Sequence, residues 1–105
     1  DAVDPEEAFV AALASCHMLF FLDLARQAGF VVDSYRDQAV GEMGKTGDAG
    51  DWMQTVHLYP KAVWQGAAPD STALSDLHHR AHKLCFIANS VKSEIITHLD
   101  CGLVG

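Results

Sequence analysis

From Ala8 to Leu22 only Ser15 and His17 interrupt a run of apolar residues. The chain therefore opens with a helix that is apolar all round rather than along one stripe. Ahead of that run Asp4 stands where a cap is needed, Pro5 suits the first helical position, and Glu7 completes a capping-box spacing; Gly29 supplies a stop. The spacing predicts a helix of about 25 residues, about 37 Å long. A helix with no polar face needs cover on every side, which one small domain hardly provides. The expectation is a homodimer with this helix at the subunit interface, because a monomer would leave a large apolar patch in water.

Beyond Gly29 the period shortens. Phe30 to Val40 is rich in β-branched and aromatic residues, and Trp52 to Trp64 alternates through Met53, Val56, Leu58 and Val63. Two strands joined by the glycine-rich turn Gly41 to Gly50 make a hairpin. Pro69-Asp70-Ser71 then opens a second helix, with Asp70 or Ser71 as cap and Leu74, Leu77, Ala81 and Leu84 at helical spacing. A short helix follows over Phe86 to Val91 and a strand over Ser93 to Leu99, and the tail Cys101 to Gly105 is expected to fray. No repeat, low-complexity tract or linker divides the chain, so residues 1–105 read as one α+β domain.

The length of 105 residues, half of them hydrophobic, supports one core and not two. A net charge of −7 without a Lys/Arg cluster disfavours nucleic acid and anionic membrane as partners and leaves a small neutral substrate as the better match. No basic segment leads into a cleavage site, and no uninterrupted apolar run reaches the roughly 18 residues of a spanning helix. A soluble, cytoplasmic protein is the default expectation.

Cys16, Cys85 and Cys101 are an odd number, without C-x-x-C or the spacing of a secreted disulfide scaffold. Such thiols are inert core residues or reactive ones. His78, His82 and Cys85 fall on one helix face and are a conceivable metal set, though no H-E-x-x-H or paired-cysteine motif supports it. His17 points about 100° away from Cys16 round the helix and is not automatically its base, whereas His82 is placed to tune Cys85. Met18, Phe20, Phe21 and Leu22 are core or interface, and the same apolar wall would suit an alkyl substrate.

The Asp-Pro-Glu-Glu opening (Asp4 to Glu7), the alanine-rich approach to Cys16, the hairpin and the Ala81-His82-Lys83-Leu84-Cys85 segment together resemble the OsmC/Ohr superfamily, the osmotically inducible and organic-hydroperoxide-resistance proteins, over nearly the whole chain. The resemblance implies an intertwined α+β homodimer, with two long central helices surrounded by sheet. It implies reduction of organic hydroperoxides through a cysteine pair, with Cys16 attacking, Cys85 resolving and Glu6 as the helix-start glutamate. No metal or prosthetic group is implied, and the reductant would be a lipoyl-type or other small dithiol.

In hydroperoxide-reducing members an arginine on strands before the long helix assists the first cysteine, and this chain begins too late to include them. It is expected to be a fragment lacking that β arm. Phe86 also departs from the proline that many active members carry after the second cysteine. A further constraint comes from the helix itself, because ten residues separate Glu6 from Cys16 by about 15 Å. Either Glu6 serves the Cys16 of a partner subunit or the helix is broken between them. The competing expectation is a non-catalytic OsmC-like module that binds a small hydrophobic ligand at the dimer interface, with both thiols as packing residues.

Overall fold

The computed structural model describes residues 5–45, 51–99 and 102–104. The order is α1 (Pro5–Gln27), β1 (Val31–Asp37), β2 (Val40–Lys45), β3 (Asp51–Leu58), β4 (Pro60–Gln65), α2 (Ser71–Leu84), α3 (Phe86–Asn89), β5 (Glu94–Leu99) and β6 (Gly102–Val104). This is the expected α+β arrangement. Asp4, the expected cap of α1, and Cys101 lie outside the described residues.

α1 is one unbroken helix of 23 residues. Gly29 stops it at φ +89°, a left-handed conformation that costs a residue without a Cβ little. Gly29 N–H bonds Arg26 C=O at 3.0 Å and Phe30 N–H reaches back to Ala25 C=O at 2.9 Å, the paired bonds of a Schellman ending. α2 is capped by Asp70, whose side chain accepts from Ala73 N–H at 2.8 Å.

The two expected strands are four, because each is interrupted once. The register nevertheless runs on through the interruption: Asp37 faces Pro60 and Val40 faces His57, so the segment is one long hairpin bent at Gln38–Ala39 and Tyr59. Its base, β1–β4, is a two-stranded sheet; its outer half, β2–β3, continues into a four-stranded sheet in the order β2-β3-β5-β6, with β3 and β5 parallel. Two bulges, at Asp33 and Gln54, reset which residues face inward. Val56, Leu58 and Pro60 are buried and Ala62 and Trp64 half-buried on that inner face, whereas Val63, expected to be among the inward positions, is exposed. The tail is also not frayed throughout, since residues 102–104 pair with β5 as an antiparallel strand. Helix α3 ends at Asn89 rather than Val91, and Leu84, expected in the core, is 49% exposed at the end of α2.

The bend divides the core in two. Phe21, Leu24 and Ala25 pack with Leu77 and Ala81 of α2 under β1–β4, and Leu13 packs with Val56, Leu58 and Ile95 of the larger sheet. α1 belongs to both clusters, and Cys16 and His17 lie where they meet. Only one side of α1 is covered: Leu13, Cys16, His17, Phe21, Leu24 and Ala25 are buried, while Ala8, Ala11, Ser15 and Leu19 face out. By length and composition α1 would suffice to cross a bilayer, contrary to the expectation from the run of residues; the core helix of a soluble protein meets the same measure.

Candidate active site

Cys16 and Cys85, 69 positions apart, are both free thiols and both buried, at 5% and 1% exposure. Each is fixed by its element. Cys16 is held at the middle of α1. Cys85 sits at the corner between α2 and α3, closing the first helix through its N–H to Ala81 C=O and capping the second with its sulfur, which accepts from Ala88 N–H at 3.5 Å. The two side chains meet: burial first, then hydrogen bonding to Cys16, push the Cys85 thiol up to about 11, against a smaller pull from the N–H groups of Ala88 and Ile87. Cys85 therefore holds its proton at neutral pH and can donate it to the Cys16 sulfur.

His82 does not tune Cys85 in the way expected. Burial and the nearby His79 lower its pKa, and the Cys85 shift has no histidine among its causes. The more consequential histidine relationship is one that helix geometry alone did not suggest. His17 Nε2 lies 2.9 Å from His78 Nδ1, and the His78 ring stacks on Phe21 with centroids 4.1 Å apart. Burial holds His17 down to about 4 and His78 to about 3, so both rings are neutral. The signal was the lone imidazole in an apolar helical run, since a buried polar group requires a partner. Among the described residues no three His, Cys, Asp or Glu side chains gather as metal ligands; His78 is turned to His17 and not to a set with His82 and Cys85.

Glu6 is exposed and stands on another part of α1, at the wall of a cavity of about 570 Å³. Val10, Met18, Tyr35, Asp37 and Met53 also line this cavity, and neither thiol does. Because α1 is continuous, the broken-helix route from Glu6 to Cys16 is excluded within the chain.

The OsmC-like protein family model matches residues 1–100. An OsmC-like protein of unknown function from Vibrio cholerae has a similar structure, with 50% identity and a TM-score of 0.86, over 90% of this chain and 62% of the other. The chain thus spans less than two thirds of that relative. A putative organic hydroperoxide resistance protein from the same organism, with captopril bound in one of its active sites, is 25% identical with a TM-score of 0.73, over 92% of this chain and 63% of its own. The fold is shared further with an organic hydroperoxide resistance protein from Legionella pneumophila, at 18% identity and a TM-score of 0.73, over 91% of this chain and 66% of the other. No curated protein matches. A family match across almost the whole length, on a fold with the same architecture and two thiols in contact at its centre, identifies this chain as a member of the OsmC-like family.

Proposed function

We propose that this protein reduces organic hydroperoxides through Cys16 and Cys85. The observation that carries the reading is the contact between two buried thiols brought together from α1 and the α2–α3 corner, one of which keeps its proton. The Cys16 thiolate attacks one oxygen of the O–O bond; that bond breaks, the alcohol leaves with a proton, and Cys16 becomes a sulfenic acid. The Cys85 sulfur then attacks the Cys16 sulfur, a disulfide forms and water departs. One hydroperoxide and two thiols thus give an alcohol, water and a disulfide, and a small dithiol such as a lipoyl group returns both thiols.

The reading includes a homodimer. Ala8, Ala11, Ser15 and Leu19 leave an exposed, largely apolar strip on α1, Leu19 at 63% exposure, and a second copy would cover it. Glu6, about 15 Å along the helix from its own Cys16, would then act at the partner's thiol. A reducing, cytoplasmic setting fits a cycle that depends on thiols. A single domain of the OsmC type would carry the whole cycle.

The second reading, a ligand-binding module, is favoured by the cavity beside Glu6, whose lining joins apolar Val10, Met18 and Met53 to the carboxylates of Glu6 and Asp37 and stands apart from the thiols. Treating the reduced protein with one equivalent of cumene hydroperoxide, and separately of hydrogen peroxide, and mapping disulfides by mass spectrometry distinguishes the two. A rapid Cys16–Cys85 disulfide, faster with the organic oxidant, supports the peroxidase; thiols that stay reduced with both would leave the binding module.

A further inference from the structure

Both thiols are buried and neither lines the cavity beside Glu6, so a reagent reaches Cys16 only when a neighbouring side chain moves aside. A second side-chain pair joins the same two elements as the thiols. Phe20 follows Cys16 by one turn of α1, about 6 Å along the helix and on the same face. Phe86 directly follows Cys85 and opens α3. The two rings meet edge to face, with centroids 5.7 Å apart and planes 87° from parallel. Cys16 touches Cys85 and Phe20 touches Phe86, so the ring pair stands beside the thiol pair where α1 meets the α2–α3 corner.

The rings are held very differently. Phe20 is half-buried and packs against the cluster formed by α1 and α2. Phe86 is 64% exposed, although Cys85 beside it is almost wholly covered. α3 is a single turn of four residues, none of them buried. Polar bonds anchor it: Asn89 Nδ2 donates to Lys83 C=O at 2.9 Å, Ser90 Oγ to Phe86 C=O at 2.6 Å, and Ala88 N–H to the Cys85 sulfur. None of these bonds uses the Phe86 side chain, so its ring can swing outward without breaking any of them. Local opening is easiest where few apolar contacts are buried, and Phe86 meets that condition.

We propose that Phe86 is a gate over the thiol pair and Phe20 the seat for the apolar part of the substrate. Phe86 swings into solvent, and the aryl or alkyl body of a hydroperoxide takes its place against Phe20 while the O–O group reaches Cys16. The substrate rests on the peroxidase reading; the gate governs any thiol reagent. The exchange gives a physical origin for preferring organic oxidants. An aromatic body restores the edge contact that opening breaks, whereas hydrogen peroxide needs the opening and leaves Phe20 facing water. Phe20 and Phe86 are then specificity-determining residues and take no part in the bond changes at sulfur.

The test is site-resolved alkylation of Cys16 in the whole reduced chain with N-phenylmaleimide and N-methylmaleimide, which differ in the aryl group alone. The variants are Phe86→Ala, Phe86→Leu, Phe20→Leu and, as a control on an exposed residue of β4, Val63→Ala. Phe86→Ala should accelerate both reagents about tenfold, and Phe86→Leu, which keeps an apolar cover, much less. Phe20→Leu should lower the phenyl-to-methyl rate ratio about fivefold. Val63→Ala should change neither quantity. Unchanged rates in Phe86→Ala, an unchanged ratio in Phe20→Leu, or equal acceleration in Val63→Ala would overturn the proposal. Circular dichroism establishes that each variant is folded; should Phe20→Leu fail that check, the two Phe86 variants decide. Disulfide formation with cumene hydroperoxide and with hydrogen peroxide is followed in parallel, and its rate ratio should also fall in Phe20→Leu. Should neither oxidant form a disulfide, the peroxidase reading falls and the maleimide rates still decide the gate.

Discussion

His17 Nε2 and His78 Nδ1 share one proton across the α1–α2 contact at 2.9 Å, and both rings are almost wholly buried. His17 Nδ1 has no partner. A bare nitrogen is cheaper to leave there than a stranded N–H, so the favoured tautomer has His17 donating through Nε2 and His78 accepting. Protonating either ring would place an unpaired charge in this contact.

Stability should therefore fall on mild acidification. Both histidines have folded pKa values below the ordinary 6.5, at about 4 and about 3, so the unfolded chain takes up protons first as the pH falls. The histidine contribution is present in full well above pH 6.5 and is lost progressively from there down to about pH 4 for His17 and about pH 3 for His78. At pH 5 the loss is about 2 kcal/mol for each ring that titrates independently, and less in total when the two are coupled. Urea midpoints between pH 7.5 and 5 check this, and His17→Phe should flatten the slope in that window.

The two thiols should differ sharply in reactivity. With Cys85 pushed up to about 11, its ionised fraction at pH 8 is about 100-fold smaller than that of an ordinary thiol. Site-resolved alkylation with iodoacetamide should find Cys85 slow at pH 8 and accelerating up to pH 11. A Cys85 rate that levels off near pH 9 would contradict the burial and Cys16 contact described above.

Leu19 should report on association. It is 63% exposed on the open strip of α1 and takes no part in either core cluster. Leu19→Glu is expected to leave helix content and monomer stability unchanged within about 0.5 kcal/mol while converting a sedimenting dimer to monomer. A wild type that sediments as a monomer at all concentrations would remove the dimer from the functional reading.

Phe21 should be the most costly core truncation. It is completely buried and touches Tyr35, Trp64 and His78, joining α1 to both the base of the hairpin and α2. Phe21→Ala should cost about 3–5 kcal/mol, measured by urea unfolding, and Phe21→Leu clearly less.

Helix α1, its glycine stop, the hairpin and the Asp70 cap were all legible in local pattern, because capping residues and hydrophobic periods act over a few positions. The thiol pair was legible only through its resemblance to a family, since nothing in the spacing of Cys16 and Cys85 fixes a contact. What escaped was non-local. The inward set of the second hairpin strand changes parity at the Gln54 bulge, so Met53 and Val56 can both turn inward, and from Val56 plain alternation carries through Leu58, Pro60 and Ala62 to Trp64 rather than Val63. The His17–His78 contact joins residues 61 positions apart, and His57–His98 joins strands whose parallel pairing no short-range rule specifies.

The continuous register of the bent hairpin makes its arms unequal in what they tolerate. Side chains alternate with a period of two, so removing one residue at Gln38–Ala39 would turn β2 over relative to β1. Glu42 would be driven toward the core, and the face that now meets α1 would turn to water. Removing two would restore every orientation and only shorten the bend. Drift in length at this corner is thus permitted in even steps alone, so the count of residues between Asp37 and Val40 carries as much information as their identity.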